Sequence, residues 1–295
     1  MILVTGAAGK TGRAVIRALN RRGQAVRALV YRPEQVALVT AAGAQQVAVG
    51  DMRTQAPVDE AARGVRAVYD ICPNVSPNEL AIGQVMLNAA RDAGIEHMVY
   101  HSVLHPQVEA MPHHWQKMRV EERLFESGLA FTILQPAVYM QNVLGQWGRI
   151  AGQGVYAVPY AASTRLSLVD LEDVAEAAAV ALTEPGHAGA TYELAGAEVL
   201  DQAEVAAILG QQLGRPVRAQ AIALDTWVQE MRALGTGDYQ IQTLLQMFRY
   251  YERYDFWGNS CVLEWLLGRP PTTFAAFVER CERDSERDSE RKGGR

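Results

Sequence analysis

Two stretches of this chain hold side chains and glycines suited to binding an anion or moving a proton. The first is Thr5-Gly6-Ala7-Ala8-Gly9-Lys10-Thr11-Gly12, directly after the apolar run Met1 to Val4. Glycines spaced G-x-x-G-x-x-G between a strand and a helix make a cradle for an anion. Gly6 permits a tight turn out of the strand. Gly9 removes a Cβ where a diphosphate would approach the backbone, and Gly12 lets the helix pack close to the sheet. Gly6, Ala8, Gly9, Lys10, Thr11 and Gly12 are the expected contacts of a bound dinucleotide; the bland alternative is a plain strand-to-helix turn. The second stretch is Pro112 to Ser127, which reads as a helix ended by Gly128. Lys117 lies in its first turns, with His113 four positions earlier on the same face. A lysine there can bond the nicotinamide ribose and lower the pKa of a neighbouring proton donor. An imidazole can act as general acid for a carbonyl or imine reduced by hydride. Against these stand a surface i,i+4 pair of Lys117 with Glu121 and a capping or pocket-lining His113.

Other positions follow from the strand ends. Where an acid would hold the adenosine ribose of NAD, the chain has Arg32. A cation there fits a 2′-phosphate, so the expected cofactor is NADP(H), with NAD(H) as the alternative. Lys10 could add a second cation. Asp51 could accept a hydrogen bond from the adenine amino group, or be an ordinary turn carboxylate, and Met52 beside it is a further expected cofactor contact. Cys72, Pro73 and Asn74 follow the fourth strand and Ser102 ends the fifth, where polar groups could hold the nicotinamide ribose or a substrate carbonyl. Trp115, Tyr139, Met140 and Trp147 suit a cleft for a flat apolar ligand, and equally suit core packing. His101, His105, His113 and His114 lie close in sequence, but no carboxylate or cysteine stands at ligand spacing beside them. No metal is expected. There is no G-x-S-x-G elbow, and no Lys-Ser/Thr pair follows the glycines as in a P-loop.

The elements that must position these residues alternate. Strands are expected over residues 24–31, 45–49, 67–72, 97–103 and 130–134 after the first, with helices between them. That rhythm predicts an α/β fold, a doubly wound parallel Rossmann sheet with a smaller, mostly helical C-terminal lobe. The expected domains are 1–150, with the sheet completed by parts of 151–195, and a substrate or partner lobe over 196–278. Asp201 should cap a helix. The repeat ERDSERDSER lies in a charged tail, 279–295, which either extends the last helix or is disordered; disorder is the expectation. With 295 residues and 49% hydrophobic side chains the chain can fill a substantial core. A net charge of −5 does not favour nucleic acid or an anionic membrane. No apolar run spans a membrane, and no secretory signal precedes the first strand. Three scattered cysteines, Cys72, Cys261 and Cys281, speak against a disulfide framework. A cytoplasmic protein is expected.

Together these residues resemble the NmrA-like group of atypical short-chain dehydrogenase/reductases. The carriers are VTGAAGKTG, RALVYRP, VGD, HWQKMRVEERLFESGLAFTILQPAVYMQN and LLGRPPTTFAAFVE, and the likeness runs from residue 1 to about 278. It implies a Rossmann domain, a small substrate lobe and NADP. It also implies Gly6, Gly9, Gly12 and Arg32 as cofactor ligands, Lys117 as the retained lysine, and Tyr139, Met140 and Asn142 as cleft residues. Members include quinone, triphenylmethane-dye and isoflavone-type reductases, and also regulators that bind the dinucleotide without turnover. The wider superfamily pairs Tyr-x-x-x-Lys; here His113 occupies the tyrosine position. The leading expectation is an NADPH-dependent reductase of a small conjugated electrophile of quinone, dye, imine or enone type. The alternative is a non-catalytic NADP(H) redox sensor acting on a protein partner; the C-terminal lobe could serve as the partner surface or a homodimer contact. An epimerase or dehydratase suffers from the same missing tyrosine.

Overall fold

The computed structural model describes residues 1–293, with side chains through residue 284; residues 294 and 295 lie outside the described residues. In chain order the first elements are β1 (Ile2–Val4), α1 (Lys10–Arg21), β2 (Val26–Val30), α2 (Val36–Ala41), β3 (Gln46–Val49), α3 (Gln55–Ala62), β4 (Ala67–Asp70), α4 (Glu79–Asp92), β5 (His97–His101), α5 (Pro112–Glu126) and β6 (Phe131–Pro136). There follow β7 (Val138–Tyr139), α6 (Trp147–Gln153), β8 (Val155–Val158), β9 (Leu166–Val169), α7 (Leu171–Thr183), β10 (Thr191–Leu194), β11 (Val199–Leu200) and α8 (Gln202–Gln212). The chain ends through β12 (Arg218–Ala221), α9 (Leu224–Ala233), α10 (Asp238–Tyr254), α11 (Cys261–Leu267) and α12 (Phe274–Gly293).

The chain forms two compact units. The first comprises Met1–Pro136, Leu171–Leu194 and Cys261–Arg269. Its sheet has seven strands in the order β10-β6-β5-β4-β1-β2-β3, every pairing parallel. This is the doubly wound α/β arrangement. The strand order reverses between β1 and β4, and a crevice outside the carboxyl ends opens at such a reversal. A parallel sheet buried on both faces needs apolar residues on both, and ILV, VRALV and AVYD supply them. On one face Leu3, Val68, Met98, Tyr100 and Ile133 join Val58, Met86, Leu87, Val120 and Leu124 of α3, α4 and α5 in one cluster. On the other face α7 packs along α1 and beneath β4 and β5; its buried alanines keep that layer thin.

The second unit comprises Ala137–Asp170, Ala195–Ser260 and Pro270 onward. It is mostly helical. Its strands form a three-stranded sheet, β11-β9-β7, and the pair β12-β8. Asp201 caps α8 as expected: its carboxylate accepts from the Glu204 N–H at 2.8 Å, and Glu204 answers to the Asp201 N–H at 2.8 Å. Of the two alternatives for the tail, the described backbone has the helical one. The backbone of α12 continues helical to Gly293, through a run rich in the helix formers Glu and Arg. Among the described residues no helix is long and apolar enough to cross a membrane.

One close approach sets up the site described below. Gly83 of α4 faces Val120 of α5, and a Cβ at residue 83 would lie 2.8 and 2.9 Å from the two valine methyls. The missing side chain lets the two helices approach. We expect Gly83→Val to overpack this contact and destabilise the fold by about 1–3 kcal/mol, read as a lower urea midpoint. An unchanged midpoint would show that the contact does not hold the helices.

Candidate functional site

The first part of the site is the turn after β1. The Thr5 hydroxyl donates to Asp70 Oδ1 at 2.8 Å and accepts the Ile71 N–H at 2.8 Å, so it ties β1 to β4 where the strand order reverses. Gly6 then takes φ +51°, and a Cβ on it would meet the Ile71 carbonyl oxygen at 2.7 Å; glycine is required on both counts. At Gly12 a Cβ would sit 2.6 Å from Gly6 O and Ala7 Cα. Gly12 thus fits α1 against the turn's own backbone rather than against the sheet, which corrects its expected role. Gly9 is the N-cap of α1 in extended conformation, and no acid stands in the first turn. The first helical bond runs from the Arg13 N–H to Gly9 O, so backbone N–H groups and the positive helix end face outward together. Ala8 is half-buried and Thr11 buried in this turn. The cradle fits a diphosphate.

The next two strand ends carry arginines, one of them paired with a carboxylate. Arg32 follows β2 and is exposed. Asp51 follows β3, and its carboxylate is gripped by Arg53 through Nε at 3.0 and 2.9 Å and Nη2 at 2.6 Å. Those hydrogen bonds hold the Asp51 carboxyl below its usual pKa. The expected adenine acceptor is therefore already engaged, and Arg53 adds a second guanidinium beside the β2 end. Met52 is half-buried and packs on the core instead of facing outward. Partial burial draws the Lys10 pKa down.

The third part lies beyond β4 and β5. Lys117 of α5 does not pair with Glu121. Its Nζ donates to Glu79 Oε1 at 2.8 Å and to the His101 carbonyl at 3.0 Å. The two side chains are only 14% and 4% exposed. The Tyr100 hydroxyl donates to the same Glu79 oxygen at 3.0 Å, and the ammonium lies 5.3 Å from the Tyr100 ring centroid. Burial alone would pull the lysine pKa down, but Glu79, Cys72 and Asp70 outweigh it and the net shift is upward. Burial, with Glu79 beside it, pushes the Cys72 thiol up, so it stays protonated. Burial also lifts Asp70 to about 6, against the Thr5 hydrogen bond. Ser102 is buried and gives its proton to Glu121, which also accepts from the Gln135 amide at 3.0 Å on each oxygen. Ser102 can therefore offer a ligand only its lone pairs. His113 is held down to about 4 by burial and by the Lys117 charge, and its Nδ1 is buried without a hydrogen-bond partner. At pH 7 about one His113 in a thousand is an imidazolium, so it does not serve as a resident strong acid.

A family model described as the NmrA-like family matches residues 1–278. The chain belongs to the NmrA-like family. It is 31% identical to an NAD(P)H azoreductase of Xenophilus azovorans over 95% of this chain and 97% of that one. It is 28% identical to quinone oxidoreductase 2 of Escherichia coli (strain K12) over 94% and 97%. Among solved structures, an Escherichia coli NADPH-dependent quinone oxidoreductase complexed with NADPH superposes with TM-score 0.83 at 27% identity, covering 95% of this chain and 99% of that one. The Citrobacter sp. triphenylmethane reductase complexed with NADP(H) shares the fold, with TM-score 0.82 at 24% identity over 95% and 99%. The chain is thus an NmrA-like, Rossmann-fold relative of NAD(P)H-dependent oxidoreductases.

In this NmrA-like chain the first unit brings Gly6, Gly9, Gly12, Arg32, Cys72, Ser102 and Lys117 to one edge of the sheet. Pro73 and Asn74 are exposed in the loop that follows Cys72, where Val75 is held at the strained φ of +48°. Trp115 is half-buried on α5. Tyr139, Met140, Asn142 and Trp147 belong to the second unit; Met140 is 1% exposed, a packing position, while Asn142 is exposed. The histidines do not converge: His101 bonds Tyr69, His114 Nδ1 bonds the Leu104 carbonyl at 3.0 Å, and among the described residues no three potential ligands gather. Sequence reading missed Glu79, Tyr100, Asp70 and Arg53. The D-x-R run at the end of β3 was a usable sign for Arg53; Glu79 left none, because an acid at a helix start is ordinary.

Asp70 yields a pH prediction. Its folded pKa is raised from 3.8 to about 6, so its contribution to stability is full below the unfolded pKa and is lost as pH rises through about 6. Asp70→Asn keeps an acceptor for Thr5 and removes the titration. Urea unfolding from pH 4 to 7 should show the wild type losing stability relative to the variant, by a total on the order of 3 kcal/mol. A difference that does not change with pH would contradict the buried carboxylate.

Proposed function

We propose that this chain is an NADPH-dependent reductase of a small conjugated electrophile of quinone, dye, imine or enone type. The observation that carries the reading is the buried, charged Lys117 at the same sheet edge as the glycine cradle. The head of α1 and Lys10 take the diphosphate, and Arg32 with Arg53 takes the 2′-phosphate, which favours NADP over NAD. Bound there in reduced form, the nicotinamide supplies a hydride. Lys117 commits two of its three N–H donors to Glu79 and the His101 carbonyl. The third is left for the nicotinamide ribose or for the acceptor's heteroatom. Its positive charge stabilises the negative charge that grows on the acceptor as hydride arrives. His113 is neutral, so it is no strong acid in place of the missing tyrosine, and a proton would come from water or Tyr139. That favours acceptors that need no acid as the hydride arrives: a quinone carries the negative charge until water supplies a proton, and a cationic dye is simply neutralised by the hydride. The names of the azoreductase and quinone oxidoreductase relatives support the same class of acceptor.

The test is NADPH oxidation against a panel of quinones, azo and triphenylmethane dyes, imines and enones. We expect turnover with at least one class. Lys117→Ala should lose about 100-fold in kcat, in the range seen when one preorganised electrostatic donor is removed. If the whole panel leaves NADPH untouched while a partner protein binds the NADP+ and NADPH forms differently, the chain is a redox sensor and the reductase reading falls.

A further inference from the structure

Glu79 has no part in the reading above except as the partner of Lys117, and its placement is unusual enough to ask why it is there. A buried ion pair is a poor way to gain stability. Two charges must be stripped of water, and well-packed apolar side chains of similar volume do as well or better. Yet several features converge to keep this pair. Glu79 is the first residue of α4, the helix end at which an acidic side chain is well placed. Tyr100 gives its hydroxyl proton to the same Oε1 that receives the Lys117 ammonium. Gly83, one turn further along α4, lets Val120 of α5 come close enough to bring Lys117, one turn earlier on α5, within reach. The cation is also a lysine in a chain that otherwise uses arginine: of 28 basic side chains only Lys10, Lys117 and Lys292 are lysine. A lysine is a compact charge that can lose its proton once its partner is removed, which an arginine cannot.

We propose that Glu79 is a positioning residue: it holds the Lys117 ammonium charged and aimed past the ends of β4 and β5, with Tyr100 fixing the carboxylate. The proposal rests on the reading that Lys117 acts on the electron acceptor. The groups around Nζ are Glu79 from α4, Tyr100 with the His101 carbonyl and ring from β5, Asp70 at the end of β4 with Cys72 beyond it, and His113, His114 and Glu121 on α5 itself, Glu121 being taken up by Ser102 and Gln135. Of these only Glu79 is both a carboxylate and in contact with the ammonium; Asp70 spends an oxygen on Thr5. Without Glu79 the nearest contacts are a carbonyl, a phenol and a protonated thiol. None of these supplies a full negative charge to hold a buried ammonium, and burial then favours the neutral amine.

The experiment follows Lys117 itself. With three lysines, ε-labelled lysine in the full chain gives three side-chain NMR signals, assigned with Lys10→Arg and Lys292→Arg. In the wild type the Lys117 signal should remain ammonium-like to the alkaline limit of folding. In Glu79→Gln its titration midpoint should fall by about two pH units or more. NADPH oxidation by that variant should then lose about tenfold for each unit of pH above the new midpoint. Glu79→Asp keeps the charge and should restore most of both, and Tyr100→Phe should move the midpoint slightly in the same direction as Glu79→Gln. A Glu79→Gln protein that is folded, with Lys117 titrating as in the wild type or with an unshifted pH profile, overturns the proposal; so does loss of stability with no change in either readout. If the midpoint shifts as expected but even the wild type neither binds nor oxidises NADPH, the reductase reading falls. In that case Glu79 is shown to hold Lys117, but not for this reaction.

Discussion

Glu79 and Lys117 form an ion pair that neither partner could sustain alone. Each is nearly removed from water, and loss of one would leave a buried, uncompensated charge costing about 3–5 kcal/mol. Much of the first unit serves this contact. The α4–α5 approach at Gly83 and Val120 brings the backbones together. Tyr100 reaches from the sheet to share the carboxylate, and the His101 carbonyl, at the last position of β5, takes a second ammonium proton. Next to it a second buried carboxylate, Asp70, locks β1 to β4 through Thr5 and so sets the geometry of the turn above.

Along the carboxyl edge of the sheet the chain thereby separates its tasks. The turn after β1 leaves space for an anion by lacking side chains. The ends of β2 and β3 carry guanidinium groups, and the region past β4 and β5 carries one fixed ammonium. The whole protein is acidic, with net charge −5, yet basic side chains stand along this edge, Arg53 paired with Asp51 and Lys117 with Glu79. The loop after β4 is strained at Val75, as chain segments at functional edges often are.

Much of this was legible in the residues. Gly6, Gly9 and Gly12 announce themselves by spacing, the apolar runs by strand rhythm, and Asp201 by its capping pattern. What was hidden depends on contacts between distant parts of the chain. The local rule paired Lys117 with Glu121, four residues on; the fold turns Glu121 inward to Ser102 and Gln135 and gives Lys117 to a residue 38 positions earlier. Asp51 looks like an open acceptor until Arg53 is seen to occupy it. His113 stands where a tyrosine would serve as acid, and only its burial beside Lys117 reveals that it is neutral. The tail was ambiguous for a local reason: its charge suits disorder, and its Glu and Arg residues suit the helix that α12 continues.

A sheet edge with a glycine cradle and Arg32 beside it should prefer the phosphorylated dinucleotide. Calorimetric titration of the full chain with NADPH and with NADH, repeated on Arg32→Ala, tests it most directly. The account predicts that NADPH binds at least about tenfold more tightly than NADH, and that the variant loses most of that preference while NADH binding changes little. Equal affinity for the two in the wild type, or equal losses for both in the variant, would contradict it.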